Sequence, residues 1–195
     1  MKSLHRADLF QWSTFDEPRN IDFNGLLWVR PQGNVAIDPL PMTPHDEAHL
    51  AALGGVAWII VTNSDHTRDA RALADRTGAK LAAPAAERDV WPWPVDRWLA
   101  DGDALVPGLI AHTLDGSKTP GELALVLEGT TLITGDLVRA HKADALHLLP
   151  DAKLTDRAAA VASLRKLSGY PLEAILVGDG WCLFHDGRAR LAAVR

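Results

Sequence analysis

Apolar residues recur along the chain in short runs typical of β-strands, and a few segments between them have helical spacing. The runs predict strands over residues 25–30, 34–38, 56–62, 80–83, 109–114, 122–127, 131–134 and 174–177. Apolar positions at helical spacing predict helices over residues 45–53, 67–77 and 155–167, and Gly78 follows the second as a C-terminal cap. Strands alternating with helices predict an α/β sandwich.

Three segments do not follow either spacing. Residues 91–98 hold Trp91, Trp93 and Trp98 interleaved with prolines, which predicts an irregular loop packed on the protein, with a ligand-binding lid as the alternative. Residues 141–152 show no assignable pattern, and residues 181–195 fit either a hairpin or a helix.

Composition restricts the class of protein. With 195 residues and 47% hydrophobic residues, the chain is expected to form one domain over 1–195 with a sizeable core. The net charge of −5 argues against a nucleic-acid partner. No signal-peptide core or membrane-length apolar run is found, and Cys182 is the single cysteine, so a reducing, cytoplasmic location is expected.

The candidate chemistry begins at the carboxyl end of the strand 131–134, where Gly135 and Asp136 follow. Four further motifs precede or follow it in order: Ile37-Asp38, Ile59-Ile-Val-Thr62 running into a polar loop, Lys118-Thr-Pro-Gly121 and Gly178-Asp-Gly180. This order resembles the metallo-β-lactamase superfamily over roughly residues 25–188. The resemblance implies a four-layer αββα sandwich whose usual chemistry is hydrolysis by a metal-bound hydroxide.

The first ligand loop departs from the family pattern, which reads His-x-His-x-Asp-His after a threonine. Anchoring on Thr62 places Asn63, Asp65, Thr67 and Arg68 at the four ligand positions. Anchoring on the Asp-His pair instead places Asp65 and His66 at the last two, with Val61 and Asn63 at the first two. Either alignment loses both histidines of the first metal.

The later ligand loops depart as well, because Lys118 and Asp179 stand where the family has histidines. A lysine amine is protonated near neutral pH and is a poor metal ligand, but it carries positive charge. We therefore expect Lys118 to replace the metal's charge by pairing with Asp136 and Asp179, joined by Asp65 and countered by Arg68. The plainer interpretation is that these are ordinary polar loop residues.

Two functions follow from these residues. The first is a non-catalytic binder of a small anion, with no cofactor, that uses Asn63, Arg68 and Trp181 to bind its ligand around Lys118. The second is a hydrolase of an ester, lactone or phosphoester, in which one manganese, iron or zinc ion is held by carboxylates and one imidazole. Its candidate metal ligands are Asp65, His66, Asp136 and Asp179, and its candidate catalytic groups are Asp136, Asp65 and Lys118. No membrane partner is expected, and tryptophans, if exposed, would favour a homodimer.

Overall fold

The computed structural model describes residues 1–142 and 144–194. Within these ranges the strands are β1 (Lys2–Ser3), β2 (Leu9–Asp16), β3 (Ile21–Trp28), β4 (Val35–Ile37), β5 (Trp58–Ile60), β6 (Lys80–Pro84), β7 (Arg97–Leu99), β8 (Ala104–Val106), β9 (Leu109–Leu114), β10 (Glu122–Leu127), β11 (Thr131–Thr134), β12 (Val138–Lys142), β13 (Ala145–Leu148) and β14 (Ala174–Val177). The α-helices are α1 (Pro44–Ala52), α2 (Ala70–Thr77), α3 (Arg157–Leu167) and α4 (Gly187–Ala192). Short 3-10 helices cover Ser64–His66, Ala85–Val90 and Asp151–Lys153.

Two large sheets form the centre of the fold. The first has the order β1-β2-β3-β4-β5-β6-β7, antiparallel from β1 to β4 and parallel from β4 to β7. The second has the order β14-β11-β10-β9-β8, in which β14 lies parallel to β11 and the other pairs are antiparallel. Strands β12 and β13 form a separate hairpin. Because β4, β5, β11 and β14 run into loops at their carboxyl ends, those loops are available to build a site.

The buried apolar side chains form three separate cores. Strand β10 contributes to two of them, because its two faces point to opposite sides of the sheet. Its residues alternate between the two sides of the sheet: Leu123, Leu125 and Leu127 belong to the core that also contains residues of the first sheet. Ala124 and Val126 belong to a different core on the outer face. A strand buried on both faces reads as a continuous apolar run, which is why residues 122–127 are readily identified in the sequence.

Helices cover the two outer faces. Leu50 of α1 and Leu73 of α2 pack with Ile59 in the outer core of the first sheet. Leu164 of α3 and Leu191 of α4 pack in the outer core of the second sheet. The four layers therefore lie in the order helices, sheet, sheet, helices, which confirms the predicted α/β class and its four-layer αββα sandwich. No α-helix in the described part of the chain is long and apolar enough to cross a membrane.

Most predicted elements are present, and the differences occur mainly at their ends. The strand predicted over 56–62 is shorter, at Trp58–Ile60, and the helix predicted over 67–77 begins at Ala70, after the 3-10 turn at Ser64–His66. The prediction of wholly irregular structure over 91–98 is wrong at its end, since Trp98 lies in β7, which pairs with β6. Trp91 and Trp93 pack against the outer core of the first sheet, as expected of a packed loop.

Other elements were not anticipated by the apolar pattern. The first sheet begins with β1, which is exposed, and β2, in which two of the eight positions are buried, so neither forms a continuous apolar run. The unassigned segment contains the end of β12 and all of β13, which pair as a hairpin. Of the two alternatives for residues 181–195, the structure has a helix at Gly187–Ala192.

Gly116 holds the loop that carries Lys118 against the start of α3. Its φ is +82°, and a Cβ at this position would lie 2.1 Å from the Asp156 carbonyl oxygen and 2.5 Å from the Ala160 nitrogen. The Gly116 carbonyl in turn accepts a hydrogen bond from the Thr155 amide at 3.1 Å. This close approach requires a residue without a side chain.

We expect Gly116→Ala to lower the free energy of unfolding by about 3 kcal/mol or more, because left-handed backbone strain and steric overlap with α3 add together. Gly129→Ala is the matched control, since Gly129 has a φ of +73° but nothing within 4 Å of the added Cβ. The control should lose only about 1 kcal/mol. Urea unfolding of both variants measures the difference, and equal losses would contradict the close packing at Gly116.

Candidate functional site

A cavity of about 760 Å³ lies at the carboxyl ends of the central strands. Its lining is rich in charge. The positively charged lining residues are Arg19, Arg68, Lys118, Arg139 and Lys153, and the carboxylates are Asp65, Asp136 and Asp179. The remaining lining residues are Asn20, Ile21, Phe23, Leu40, His66 and His141.

Asp38 anchors the first polar loop from the end of β4. Its Oδ1 accepts a hydrogen bond from the Thr62 amide at 2.7 Å, and its Oδ2 accepts one from the Thr62 hydroxyl at 2.6 Å. The same Oδ2 lies 2.7 Å from His66 Nδ1. Asp38 therefore orients the His66 ring so that Nε2 faces the other carboxylates.

His66 is buried among charges of both signs. Its Nε2 lies 3.3 Å from Asp136 Oδ2 and 3.9 Å from Asp179 Oδ1. Burial opposes a charged imidazole, but the negative charge of Asp38 and the contact with Asp136 prevail over burial and over Arg68, raising the pKa of His66 to about 10. Gly178 leaves room for this ring, because a Cβ there would lie 2.8 Å from His66 Cε1.

Lys118 lies between two carboxylates. Its Nζ is 2.7 Å from Asp65 Oδ2 and 2.9 Å from Asp136 Oδ2, and its side chain is 25% exposed. Burial acts to lower the pKa of Lys118, but Asp65 and Asp136 outweigh it and raise the pKa above its ordinary value. The ammonium group therefore stays charged at neutral pH.

Asp136 is a buried carboxylate of the cavity, with 3% of its side chain exposed. Burial acts to raise its pKa, but His66 and Lys118 outweigh burial and hold the pKa of Asp136 well below the ordinary value. Its Oδ2 has ion-pair contacts with both cations but no hydrogen bond of good geometry. His66, Lys118 and Asp136 are therefore held together by charge, and Asp136 Oδ2 has no aligned hydrogen-bond donor.

Asp179 is compensated by arginines. Arg139 Nε donates to Asp179 Oδ2 at 3.1 Å, with a second contact from its terminal nitrogen, and Arg68 lies 3.4 Å from Oδ1. Of the expected partners of Lys118, Asp136 and Asp65 are in contact with it, but the expected pairing with Asp179 is wrong among the described ion pairs. Asp179 follows β14, whereas Asp136, which contacts Lys118, follows β11. Because these two carboxylates lie on different loops, they have different cations as partners.

The Arg68 guanidinium is held rigidly. Its backbone φ is +37°, which is unusual for a residue with a side chain. The guanidinium donates to the carbonyl oxygens of Asn24 at 2.8 Å and Asp38 at 3.2 Å, and it lies 5.4 Å from the Phe23 ring centroid. Arg68 is therefore positioned between β3, β4 and the Asp179 loop.

Glu122 lies beneath these groups and is fully buried. Its carboxyl group accepts hydrogen bonds from the Ser117 hydroxyl at 2.7 Å and the Leu137 amide at 2.9 Å. Burial and the negative charge of Asp136 raise the pKa of Glu122 to about 8, against these hydrogen bonds and His66. Glu122 thus connects Ser117, which precedes Lys118, to Leu137, which follows Asp136.

The donor atoms decide whether a metal ion fits. Across residues 1–142 and 144–194, the one group that could hold an ion comprises His66, Asp136 and Asp179, whose ligand atoms lie within 4.8 Å of one another. The predicted fourth ligand, Asp65, is not in this group, since its side chain is 54% exposed and faces Lys118. Two metal ions lack sufficient donors here, and a single ion would meet the charges of Lys118 and Arg68.

The structure brings residues from both alternative alignments into the cavity. Arg68 belongs to the alignment on Thr62, His66 belongs to the alignment on the Asp-His pair, and Asp65 belongs to both. Asn63 does not reach the lining, because it is buried and its Oδ1 caps the 3-10 turn through the Asp65 amide at 2.9 Å. Trp181, 59% exposed, lines a different depression beside Cys182.

Sequence reasoning missed several groups of the site. Asp38 ends the strand predicted over 34–38 and has no predicted role, although a carboxylate at the carboxyl end of that strand is expected to face the loops. Arg139 lies just before the unassigned segment, in β12. Arg19 and Lys153 are exposed cations whose place in the lining depends on tertiary structure alone.

These observations define an αββα sandwich with a polar cavity at the loop edge of its two facing sheets. A family model described as the metallo-β-lactamase superfamily matches residues 1–195. The chain belongs to the metallo-β-lactamase superfamily. A search of curated proteins finds no significant match.

Solved structures agree with this assignment of fold. A metallo-β-lactamase from Pontibacter korlensis is 16% identical, with a TM-score of 0.75 over 98% of this chain and 96% of that one. The metallo-β-lactamase FIM-1 from Pseudomonas aeruginosa, in its mono-zinc form, is 15% identical, with a TM-score of 0.71 over 94% and 88%. TTHA1623, in a di-iron-bound form, is 21% identical, with a TM-score of 0.71 over 93% and 98%. At these identities the likeness establishes the fold.

The raised pKa values predict a fall in stability with rising pH. His66, raised from 6.5 to about 10, contributes stability that is complete below pH 6.5 and is lost as the pH rises through 10. Glu122, raised from 4.5 to about 8, keeps its proton longer in the folded state, so its contribution also falls between pH 4.5 and 8. The free energy of unfolding should drop by at least about 1 kcal/mol between pH 6.5 and 9.5.

Urea unfolding across this pH range measures the drop. Glu122→Gln is the control, because it keeps the shape of the side chain but removes its ionisation. The variant should show a shallower decline between pH 6.5 and 8. Stability that is constant or rises over the full range would contradict the assigned charges.

Proposed function

We propose that this chain is a metal-independent member of the superfamily that binds a small anion, with Lys118 supplying the positive charge that a metal would otherwise provide. The observation that carries the proposal is the position of Lys118 Nζ, 2.7 Å from Asp65 and 2.9 Å from Asp136. The buried carboxylate of Asp136 requires a cation, and the Lys118 ammonium, shared with the exposed Asp65, meets that need within the chain itself.

The charge of the whole cavity supports an anionic ligand. Arginine and lysine side chains outnumber carboxylates in the lining, five to three, although the chain as a whole carries a net charge of −5. His66 adds a further positive charge at neutral pH, because its pKa is raised to about 10. A local excess of positive charge on an acidic protein attracts anions to this cavity rather than to the surface at large.

A metal-dependent hydrolase is the second candidate function, and the cluster of His66, Asp136 and Asp179 favours it. Asp136 Oδ2, buried and without an aligned hydrogen-bond donor, is a suitable ligand atom once Lys118 moves away from it. These three residues would hold a single manganese, iron or zinc ion. Such an ion would supply a bound water of lowered pKa for attack on an ester, lactone or phosphoester.

Metal binding separates the two functions. We expect the purified protein to contain far less than one equivalent of metal, and to show no shift of its thermal midpoint with zinc, manganese or iron.

We expect Lys118→Met to lower the free energy of unfolding by roughly 1–3 kcal/mol, since Asp65 and Asp136 lose a shared cation. The same variant should gain stabilisation by divalent metal, because its carboxylates are then free of the ammonium.

Lys166→Met is the matched control, because Lys166 is an exposed lysine of α3 outside the cavity. It removes the same charge and should change neither stability nor metal response. Elemental analysis and thermal unfolding make the measurements. Near-stoichiometric metal in the unmodified protein would overturn the internal-cation proposal, and turnover of an ester, lactone or phosphoester panel would then establish the hydrolase.

A further inference from the structure

The inner cations of the cavity are already committed to the protein. Lys118 is shared between Asp65 and Asp136, and Arg139 is held by Asp179. Arg68 likewise contacts Asp179 and backbone carbonyl oxygens. An anion binding to these groups directly would have to displace a carboxylate, so recognition of a ligand requires other cations.

Within the described part of the chain, two lining cations have no close ion pair. Arg19 has its closest carboxylate, Asp16, at 4.0 Å, and its side chain is 67% exposed. Lys153 is exposed and forms no ion pair with the residues of 1–142 and 144–194. Arg19 comes from the turn between β2 and β3, whereas Lys153 ends the 3-10 turn after β13. Both nevertheless line the same cavity.

Local contacts hold the Arg19 side chain near the cavity. Its guanidinium lies 5.6 Å from the centroid of the Phe23 ring, and the Arg19 amide donates to Asp16 Oδ1 at 2.9 Å. Phe23 also contacts Arg68, at 5.4 Å, so one ring links an outer and an inner arginine. A cation held over an aromatic ring keeps its N–H groups available to a ligand.

The rest of the outer lining is both apolar and hydrogen-bonding. Ile21, Phe23 and Leu40 provide apolar surface, and Asn20 and His141 provide polar side chains. At about 760 Å³ the cavity is of the size that encloses a small organic molecule rather than a single inorganic ion. The ligand should therefore combine negative charge with an apolar body.

We propose that Arg19 and Lys153 bind an organic dianion, a phosphate monoester or a dicarboxylate, whose apolar body packs on Ile21, Phe23 and Leu40. This inference rests on the proposed anion-binding function and assigns the contacts to the outer cations. Two free positive charges match two negative charges on the ligand, while the inner ion pairs remain intact. Lys118 and Arg68 then shape the floor of the cavity without contacting the anion.

Isothermal titration calorimetry of the full chain at low ionic strength tests the assignment. The probes are phenyl phosphate and glutarate as the two kinds of dianion, benzoate as a monoanion and benzyl alcohol as a neutral compound. We expect one or both dianions to bind at least about tenfold more tightly than benzoate, with no measurable binding of benzyl alcohol. The dianion that binds more tightly identifies the ligand class.

The variants are Arg19→Gln, Lys153→Gln and their double. Because charged hydrogen bonds at exposed sites are modest, each single variant should weaken dianion binding about three- to tenfold, and the double about thirtyfold. Arg97→Gln combined with Lys166→Gln is the control, since these exposed residues lie outside the cavity and the net charge changes equally. The control should bind as the unmodified protein does.

Different results overturn different parts of the argument. If the unmodified protein binds none of the anions, the anion-binding function itself is wrong. If dianions bind and the Arg19/Lys153 double variant binds them equally well, the function stands but these two contacts are wrong. If benzoate binds as tightly as the dianions, the requirement for two charges is wrong.

Discussion

The buried carboxylate of Asp136 imposes the main constraint on this site, because an ionised carboxylate inside a protein is stable only beside positive charge. Here the compensating charges come from the chain: Lys118 from one loop and His66 from another. His66 is in turn held by Asp38, whose other contacts fix Thr62 at the start of the same loop. The positions of four loops therefore depend on keeping one carboxylate ionised.

This arrangement differs in its physical basis from a metal centre. A metal ion joins its ligands by direct coordination, whereas Lys118 joins Asp65 and Asp136 through an ammonium group on a flexible side chain. Asp179 has a separate pair of cations, Arg68 and Arg139. Because Asp136 and Asp179 pair with different cations, replacing Lys118 removes the charge shared by Asp65 and Asp136 but leaves the arginines beside Asp179 in place.

The sequence predicts the layers of the fold well but only part of the site. Strands such as β10 and β14 are buried on both faces, so their apolar runs predict them unambiguously. Strands β1 and β2 have exposed positions, and the apolar pattern does not predict them. Lys118 is identified because it replaces a residue type with different chemistry at a recognisable position. Asp65 and Asp136 are likewise expected beside Lys118. The pairing of Asp179 with arginines instead of Lys118, and the roles of Asp38 and Arg139, depend on which loops pack together, which no local pattern encodes.

Glu122 shows how the fold transmits this constraint to the geometry of the site. Because Asp136 holds the negative charge, a second buried carboxylate nearby is disfavoured, and the pKa of Glu122 rises to about 8. The neutral acid still receives hydrogen bonds from Ser117 and Leu137, which adjoin Lys118 and Asp136 in the chain. A third group that carries no charge at neutral pH thus connects the residue before Lys118 to the residue after Asp136. A deprotonated Glu122 would place a second buried negative charge near Asp136, so the neutral acid joins these two loops without adding a charge that the cations beside Asp136 would have to balance.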